Sequence, residues 1–523
     1  MTADLNPTGA ATGPPGDRAG QPAEADQVLA GPDARIGRGT GFRPALLWSY
    51  ILSTGTYAIT ALMTFVLAAI LGPHEFGLLW IAVVWVTLAQ ILLQHGPTMA
   101  VIQHEHITDR HLNAAFWSTM AGALLFAAAL AASAPLWAAV NRLPELTPIC
   151  LALVPIVPLY ALNVIPEALL RRRLQLRGIA IRYLIAGLVA GLAGVACAVA
   201  GLGVWALVVQ QLGMTLLATV MLWAVTPWRP SLGPIRRELR EIRGTSVKTL
   251  VGAVGDFGSM RIDVLLMGAL FGPVVVGLFR FAVRFPEMVV DVTARGLQTV
   301  SLPDLARHSE DRAALAARLG RLVHAGVVFS VPALGVLAAA AEPLVLIIGE
   351  QWQESVQPLR LLCLASGFLL LHSLFGAALQ AAQRPGLPAV MTWITAVATG
   401  GAILVAALES AEAGTAGQLL AVAIAVLLVQ LPLTGVLGYL TFRRVLRVSA
   451  WPTARLAVPS LLAAAVAVTI GVAMPELPGL GPVLRFPLVA ALAGGAALGV
   501  LLALDREVRS WGTGLLGRVR SRA

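Results

Sequence analysis

The chain has 523 residues, 58% of them hydrophobic and only 12% charged, with a mean hydropathy of +0.81, so it carries more apolar surface than a soluble core can enclose. Its formal charge of +10 invites a polyanionic partner, but the basic residues cluster in short stretches between apolar runs, which fits membrane-protein loops and excludes nucleic acid. Cys150, Cys197 and Cys363 stand singly inside apolar runs, so no disulfide framework, metal site or cofactor is expected.

Residues 1–44 are rich in Pro, Gly, Ala and Asp and read as a disordered cytoplasmic tail. From Ala45 onward, apolar runs recur at the ~20-residue length that a helix needs to cross the hydrocarbon layer. They predict about fourteen spans, near 46–71, 77–102, 114–140, 146–170, 179–200, 202–225, 246–270, 274–302, 319–347, 357–383, 387–408, 415–442, 455–474 and 483–504. The breaks at Gly201 and between Glu409 and Thr415 are the weakest divisions. The expected organisation is all-α: a six-helix lobe over 45–225, a cytoplasmic linker over 226–245, and a second six-helix lobe over 246–442. Two additional helices over 443–504 and a basic cytoplasmic tail over 505–523 complete it.

Direction follows from charge. One set of alternate loops holds Arg171, Arg172, Arg173, Arg177 and Arg182, then Arg229 to Lys248, then Arg307 to Arg321, and later Arg443, Arg444 and Arg447. The other holds only Arg142, Arg485 and, at a helix end, Arg360. Such asymmetry predicts an even number of spans with both termini in the cytoplasm.

Leu71-Gly72-Pro73-His74-Glu75-Phe76-Gly77-Leu78 returns 200 residues later as Phe271-Gly272-Pro273-Val274-Val275-Val276-Gly277-Leu278, and Ala82-Val83 returns as Ala282-Val283. Convergent turn chemistry can produce such a match. So can duplication of a six-span unit, which would set two parallel repeats around an axis normal to the membrane with a site between them.

The eighth predicted span carries Arg280, Arg284, Glu287, Asp291, Arg295 and Gln298 at spacings of 4, 3, 4, 4 and 3, all on one helical face. Asp256 and Asp263 share a face of the seventh span, with Arg261 nearby. Ionisable groups inside a bilayer pair with one another or face water. The stripe is therefore either a set of pairs holding helices together or the wall of a hydrated cavity, whose arginines bind an anion and whose carboxylates bind a coupling ion. Gln90, Gln94, Asn163, Glu167 and Gln380 are secondary candidates for that wall.

Further stretches carry a family likeness. They are Leu71-Gly72 through Gly77, Phe116-Trp117, Pro166-Glu167-Ala168-Leu169-Leu170-Arg171, Gly201 to Val208, Gly272 to Gly277, Ala282 to Pro286, Gly349 to Trp352, and Leu379-Gln380-Ala381 before Arg384-Pro385. In order and spacing they resemble the polysaccharide transporter branch, with its Wzx-like lipid-linked oligosaccharide flippases, of the multidrug/oligosaccharidyl-lipid/polysaccharide (MATE-like) flippase superfamily. The resemblance implies a non-enzymatic transporter of the bacterial cytoplasmic membrane. By alternating access it would carry polyprenyl-diphosphate-linked glycans outward for O-antigen, capsule or exopolysaccharide assembly. It also implies that Arg284, Arg280 and Arg261 hold the pyrophosphate, although Arg280 departs from the family's usual residue. Proton or sodium coupling through Asp291, Asp263, Glu287 or Asp256, and polysaccharide polymerase machinery as a partner, belong to the same expectation. A multidrug or ion antiporter of the same fold is the main alternative, and a membrane-embedded glycosyltransferase or polymerase the lesser one. No GxxxxGK[ST] loop is present to hydrolyse ATP.

Overall fold

A computed structural model of the chain describes residues 62–95, 108–172, 175–231, 261–307, 311–384, 386–474 and 481–510, together with Gly55, Ile59, Gly255, Phe257 and Gly258. The first lobe contains α1 (Pro73–His95), α2 (Asp109–Asn141), α3 (Leu146–Leu153), α4 (Ile156–Arg172), α5 (Leu176–Val199) and α6 (Val204–Val225), with a preceding helical stretch at 62–70. The second holds a helical stretch at 261–271 and then α7 (Pro273–Arg307), α8 (Arg312–Ala339), α9 (Ala341–Ile348), α10 (Val356–Ala381), α11 (Gly386–Glu409) and α12 (Thr415–Tyr439). Two more helices follow, α13 (Trp451–Ala473) and α14 (Pro482–Leu504).

Eleven helices among the described residues are long and apolar enough to cross a membrane. The eighth predicted span is the 35-residue α7, whose charges set it apart from those eleven. Much of the first and seventh predicted spans, and the linker beyond Ser231, lie outside the described residues. The two weak divisions are real: Gly201 and Gly203, at φ +79° and +53°, turn α5 back along α6, and residues 410–414 separate α11 from α12. The predicted 319–347 span is not one helix, because the chain breaks at Ala340 into α8 and the short α9. Large apolar side chains such as Leu125, Val397 and Leu408 stay about three-quarters exposed, as a lipid-facing surface requires.

The lobes meet where α1 crosses α7. Each helix starts at the proline of its Gly-Pro pair, where a missing N–H does no harm, and the Glu75 carboxylate accepts the Gly72 amide at 3.0 Å. One turn on, Gly77 lies against the Pro273 carbonyl and Gly277 against the Pro73 carbonyl, so close that a Cβ at either would overlap the opposing oxygen. The contact is reciprocal, residue for residue, as two-fold related surfaces demand. The repeat is thus structural.

Aromatic packing thickens this seal. Trp352, fully buried, stacks on Phe281 at 4.2 Å, meets Phe76 edge-on at 5.4 Å and donates its indole N–H to the Ala68 carbonyl at 2.8 Å. Phe65 stacks on Phe285 at 4.9 Å. Elsewhere α13 rides on α8, with Gly335 and Gly471 tight against Ala464 and Ala339. Arg360 and Arg485, both from the sparse basic set, converge on Glu342 at 3.8 and 3.6 Å. At the end of α14, Asp505 receives the buried His324 ring at 2.7 Å and the Glu507 and Val508 amides. Burial pushes that carboxyl up, but these bonds outweigh it and hold it below its usual range.

The crossing sets a first test. Gly77→Ala and Gly277→Ala should each destabilise the purified protein by about 1–3 kcal/mol through overpacking, lowering its thermal midpoint. Gly122→Ala, with open space around it, should not. Equal midpoints for all three would refute the close crossing.

Candidate functional site

Immediately past the seal, a cavity of about 300 Å³ lies between the lobes. The first lobe contributes one face of α1, with Phe76, Trp80, Val83, Thr87 and Gln90 at spacings of 4, 3, 4 and 3, and from α6 Leu207, Gln210, Gln211 and Met214. The second lobe contributes Arg261, Arg280, Phe281 and Arg284.

Three guanidiniums therefore share one small space. Arg280, only 4% exposed, lies over the Trp80 indole at 4.5 Å, and Arg261 approaches the same ring at 5.9 Å. A tryptophan face attracts cations, and it holds these two without neutralising them. Arg280 is also 3.6 Å from both the Asp263 and Glu287 carboxylates, and Glu287 is 4.0 Å from Arg284. These are ion pairs without tight hydrogen bonds. The Arg280 Nε and one Asp263 oxygen are buried with no hydrogen-bond partner among the described residues. With all five groups ionised the cluster carries one excess positive charge, in a low-dielectric setting where such an excess acts strongly. Its unfilled donors suit an anion with several oxygens.

The structure thus brings together Arg261, Arg280, Arg284, Asp263 and Glu287. Arg280 and Arg284 stand near carboxylates and, with Arg261, line the cavity. Asp291 is half-buried one turn beyond Glu287 on α7 and is not among the cavity-lining residues. Asp256 lies outside the described residues, as do the side chains of Gln94, Arg295 and Gln298.

Asn163 and Glu167 do not reach this cavity. Their face of α4 turns into the first lobe, where the Asn163 amide donates to the Thr219 hydroxyl at 2.8 Å. The Glu167 carboxylate accepts from Arg182 at 2.5 Å, Arg171 at 2.7 Å and the Tyr183 hydroxyl at 3.0 Å. This is a structural cluster tying α4 to α5. Sequence reasoning missed Trp80, Thr87, Gln210 and Gln211. The adjacent glutamines in an otherwise apolar helix, and the 76-80-83-87-90 spacing, were the available signals. A larger cavity of about 600 Å³ between α8, α10 and α13 is lined almost wholly by apolar side chains, with Arg360 its one charged group, and offers nothing to select a polar ligand.

Glu167 provides a contrasting test. Its removal strands the buried Arg182, two of whose nitrogens already lack a partner among the described residues, so Glu167→Ala should destabilise the fold by about 3–5 kcal/mol. A thermal midpoint equal to that of the parent protein would show that the cluster is not structural.

The sequence matches the profile of a family described as polysaccharide biosynthesis protein over residues 66–357. The succinoglycan biosynthesis transport protein ExoT of Rhizobium meliloti is 26% identical over 366 residues, spanning 69% of this chain and 74% of that protein. The lipopolysaccharide biosynthesis protein WzxC of Escherichia coli is 23% identical over 359 residues, spanning 64% and 69%. Among solved structures, the inward closed conformation of the lipid II flippase MurJ aligns with a TM-score of 0.68 at 13% identity, covering 88% of this chain and 99% of MurJ. An inward-facing MATE-family multidrug transporter of the MOP superfamily aligns at 0.57 and 13% identity, covering 78% and 98%. These two structures share the fold.

Proposed function

The chain belongs to the polysaccharide biosynthesis protein family, and from that premise we propose that it flips a polyprenyl-diphosphate-linked oligosaccharide from the cytoplasmic to the outer leaflet by alternating access. The observation that carries this reading is the cluster of Arg261, Arg280 and Arg284 in a cavity between two lobes pinned together at one end. Guanidinium stays charged at any relevant pH and donates in a planar fork that matches phosphate oxygens, so the three together suit a diphosphate. A cationic drug would meet repulsion from the excess positive charge, which argues against the multidrug antiporter. The cargo would then support assembly of a cell-surface polysaccharide.

In this reading the head group enters between the lobes 45–225 and 246–442 while the α1–α7 crossing is closed. Its phosphates replace the loose carboxylate pairs of Arg280, and release follows when the crossing parts and the opposite end closes. An inside-negative potential drives a dianion outward by about 2.3 kcal/mol per charge per 100 mV, so a coupling cation is an additional element and Asp291 its first candidate site. The setting is a bacterial cytoplasmic membrane with both termini inside, on the strength of the basic loop set.

Arg284→Ala should abolish complementation of a flippase deletion at unchanged protein abundance. Arg284→Lys should restore part of it, because charge survives while the bidentate fork does not. Full transport by Arg284→Ala would refute the anchor. Asp291→Asn should slow transport in cells with an intact potential, and undiminished transport would exclude coupling through this carboxylate.

For topology, a cysteine at Ser231 should react with an impermeant thiol reagent only after the cells are opened, and one at exposed Gln353 in intact cells. Neighbouring Ser355 is unsuitable, being fully buried with its hydroxyl donated to the Leu278 carbonyl. Labelling of both positions in intact cells would overturn the orientation.

A further inference from the structure

The internal repeat pairs residue n of α1 with residue n + 200 of α7, and the copies differ in chemistry: Trp80 and Arg280 both line the cavity, and of the other pairs Arg284, Thr87 and Gln90 do. Trp80 corresponds to Arg280, Val84 to Arg284, Thr87 to Glu287, and Gln90 to Val290. On the second lobe's side the wall is charged. Among the described residues the first lobe's wall holds no ionisable side chain, but it does hold Thr87, Gln90, Gln210 and Gln211.

The three glutamine amides make no side-chain hydrogen bond within the described structure. Thr87 donates to the Val83 carbonyl and keeps its oxygen as an acceptor. A buried or half-buried amide at a helix interface ordinarily finds a partner, because leaving it unmatched in an apolar setting is unfavourable. Three such half-buried amides facing one cavity offer it donors and acceptors together, which a polyhydroxylated ligand can engage in place of water.

We infer that the first-lobe wall is a sugar subsite, formed by Gln90, Gln210, Gln211 and Thr87. It selects a glycan whose diphosphate-proximal sugar is uncharged and bears hydroxyl or acetamido groups. Amides pair with hydroxyls as donor and acceptor alike. A uronic acid at this position would set its carboxylate against neutral groups in a low-dielectric site, while the arginines opposite are engaged by the phosphates. The inference rests on the diphosphate-anchor reading, and it adds which part of the substrate each lobe reads.

The test measures binding to the purified full chain of three short-prenyl probes: bare prenyl diphosphate, prenyl-diphosphate-glucose and prenyl-diphosphate-glucuronic acid. The glucose probe should bind about tenfold or more tighter than the bare diphosphate, the expected gain from two or three uncharged hydrogen bonds, and the glucuronic acid probe no tighter than the bare one. In the Gln90→Leu, Gln210→Leu, Gln211→Leu triple variant the glucose advantage should vanish, while the bare diphosphate still binds within about twofold of the parent, which also shows that the variant is folded. A glucose advantage that survives in the triple variant, or a glucuronic acid probe that binds as tightly as glucose, overturns the subsite. So does a triple variant that loses the bare diphosphate too. If the bare diphosphate fails to bind the parent, or binds Arg284→Ala equally well, the anchor reading falls first and the sugar subsite with it.

Discussion

The approach of two backbones at Gly77 and Gly277 governs the rest of this structure. Because neither position carries a Cβ, each helix can set its first turn against the carbonyl of the other's opening proline. That contact fixes the register of α1 on α7, and register decides which side chains meet. Three residues on, Trp80 and Arg280 occupy equivalent places in the two repeats and face one another at 4.5 Å. The cation–π platform is a geometric consequence of the crossing.

Lipid imposes the second constraint, since charge inside a bilayer must be answered by charge, by water or by ligand. The chain meets it in two ways with the same residue types. Around Glu167, two arginines and a tyrosine bond the carboxylate directly at 2.5 to 3.0 Å, although two nitrogens of Arg182 have no partner among the described residues. Around Arg280, carboxylates stand off at 3.6 Å, and the arginine faces a cavity together with Arg261 and Arg284. Short direct bonds hold helices together, whereas looser pairs beside a cavity can exchange their partners for an anion. Residue identity does not separate these cases, and distance does.

The repeat also frames the asymmetry of the cavity. Equivalent helices α1 and α7 meet at the crossing, but the residues they and α6 turn to the cavity differ, so one wall carries arginines and the other amides. A head group with phosphates at one end and hydroxyls at the other is polar along its length in the same sense. The fold supplies the crossing, and side chains on α1, α6, α7 and the stretch before α7 supply the chemistry.

Much of the helical layout was legible from sequence because lipid makes hydrophobic length a direct readout of helix placement. The spans, the helical face shared by Arg280, Arg284 and Glu287, and the repeat at Gly72-Pro73 and Gly272-Pro273 all depend on contacts within one helix or on periodicity along it. The partners of Asn163 and Glu167 depended instead on how α4 is rotated against α5 and α6, which no local pattern encodes. The break at Ala340 escaped notice because apolar residues run on through it. Trp80, Gln210 and Gln211 became site residues only when the crossing at Gly77 brought their helices opposite the arginines, some 200 residues or fewer away in the chain. Periodicity along the chain determined what each helix can present, and packing between helices decided to whom it presents it.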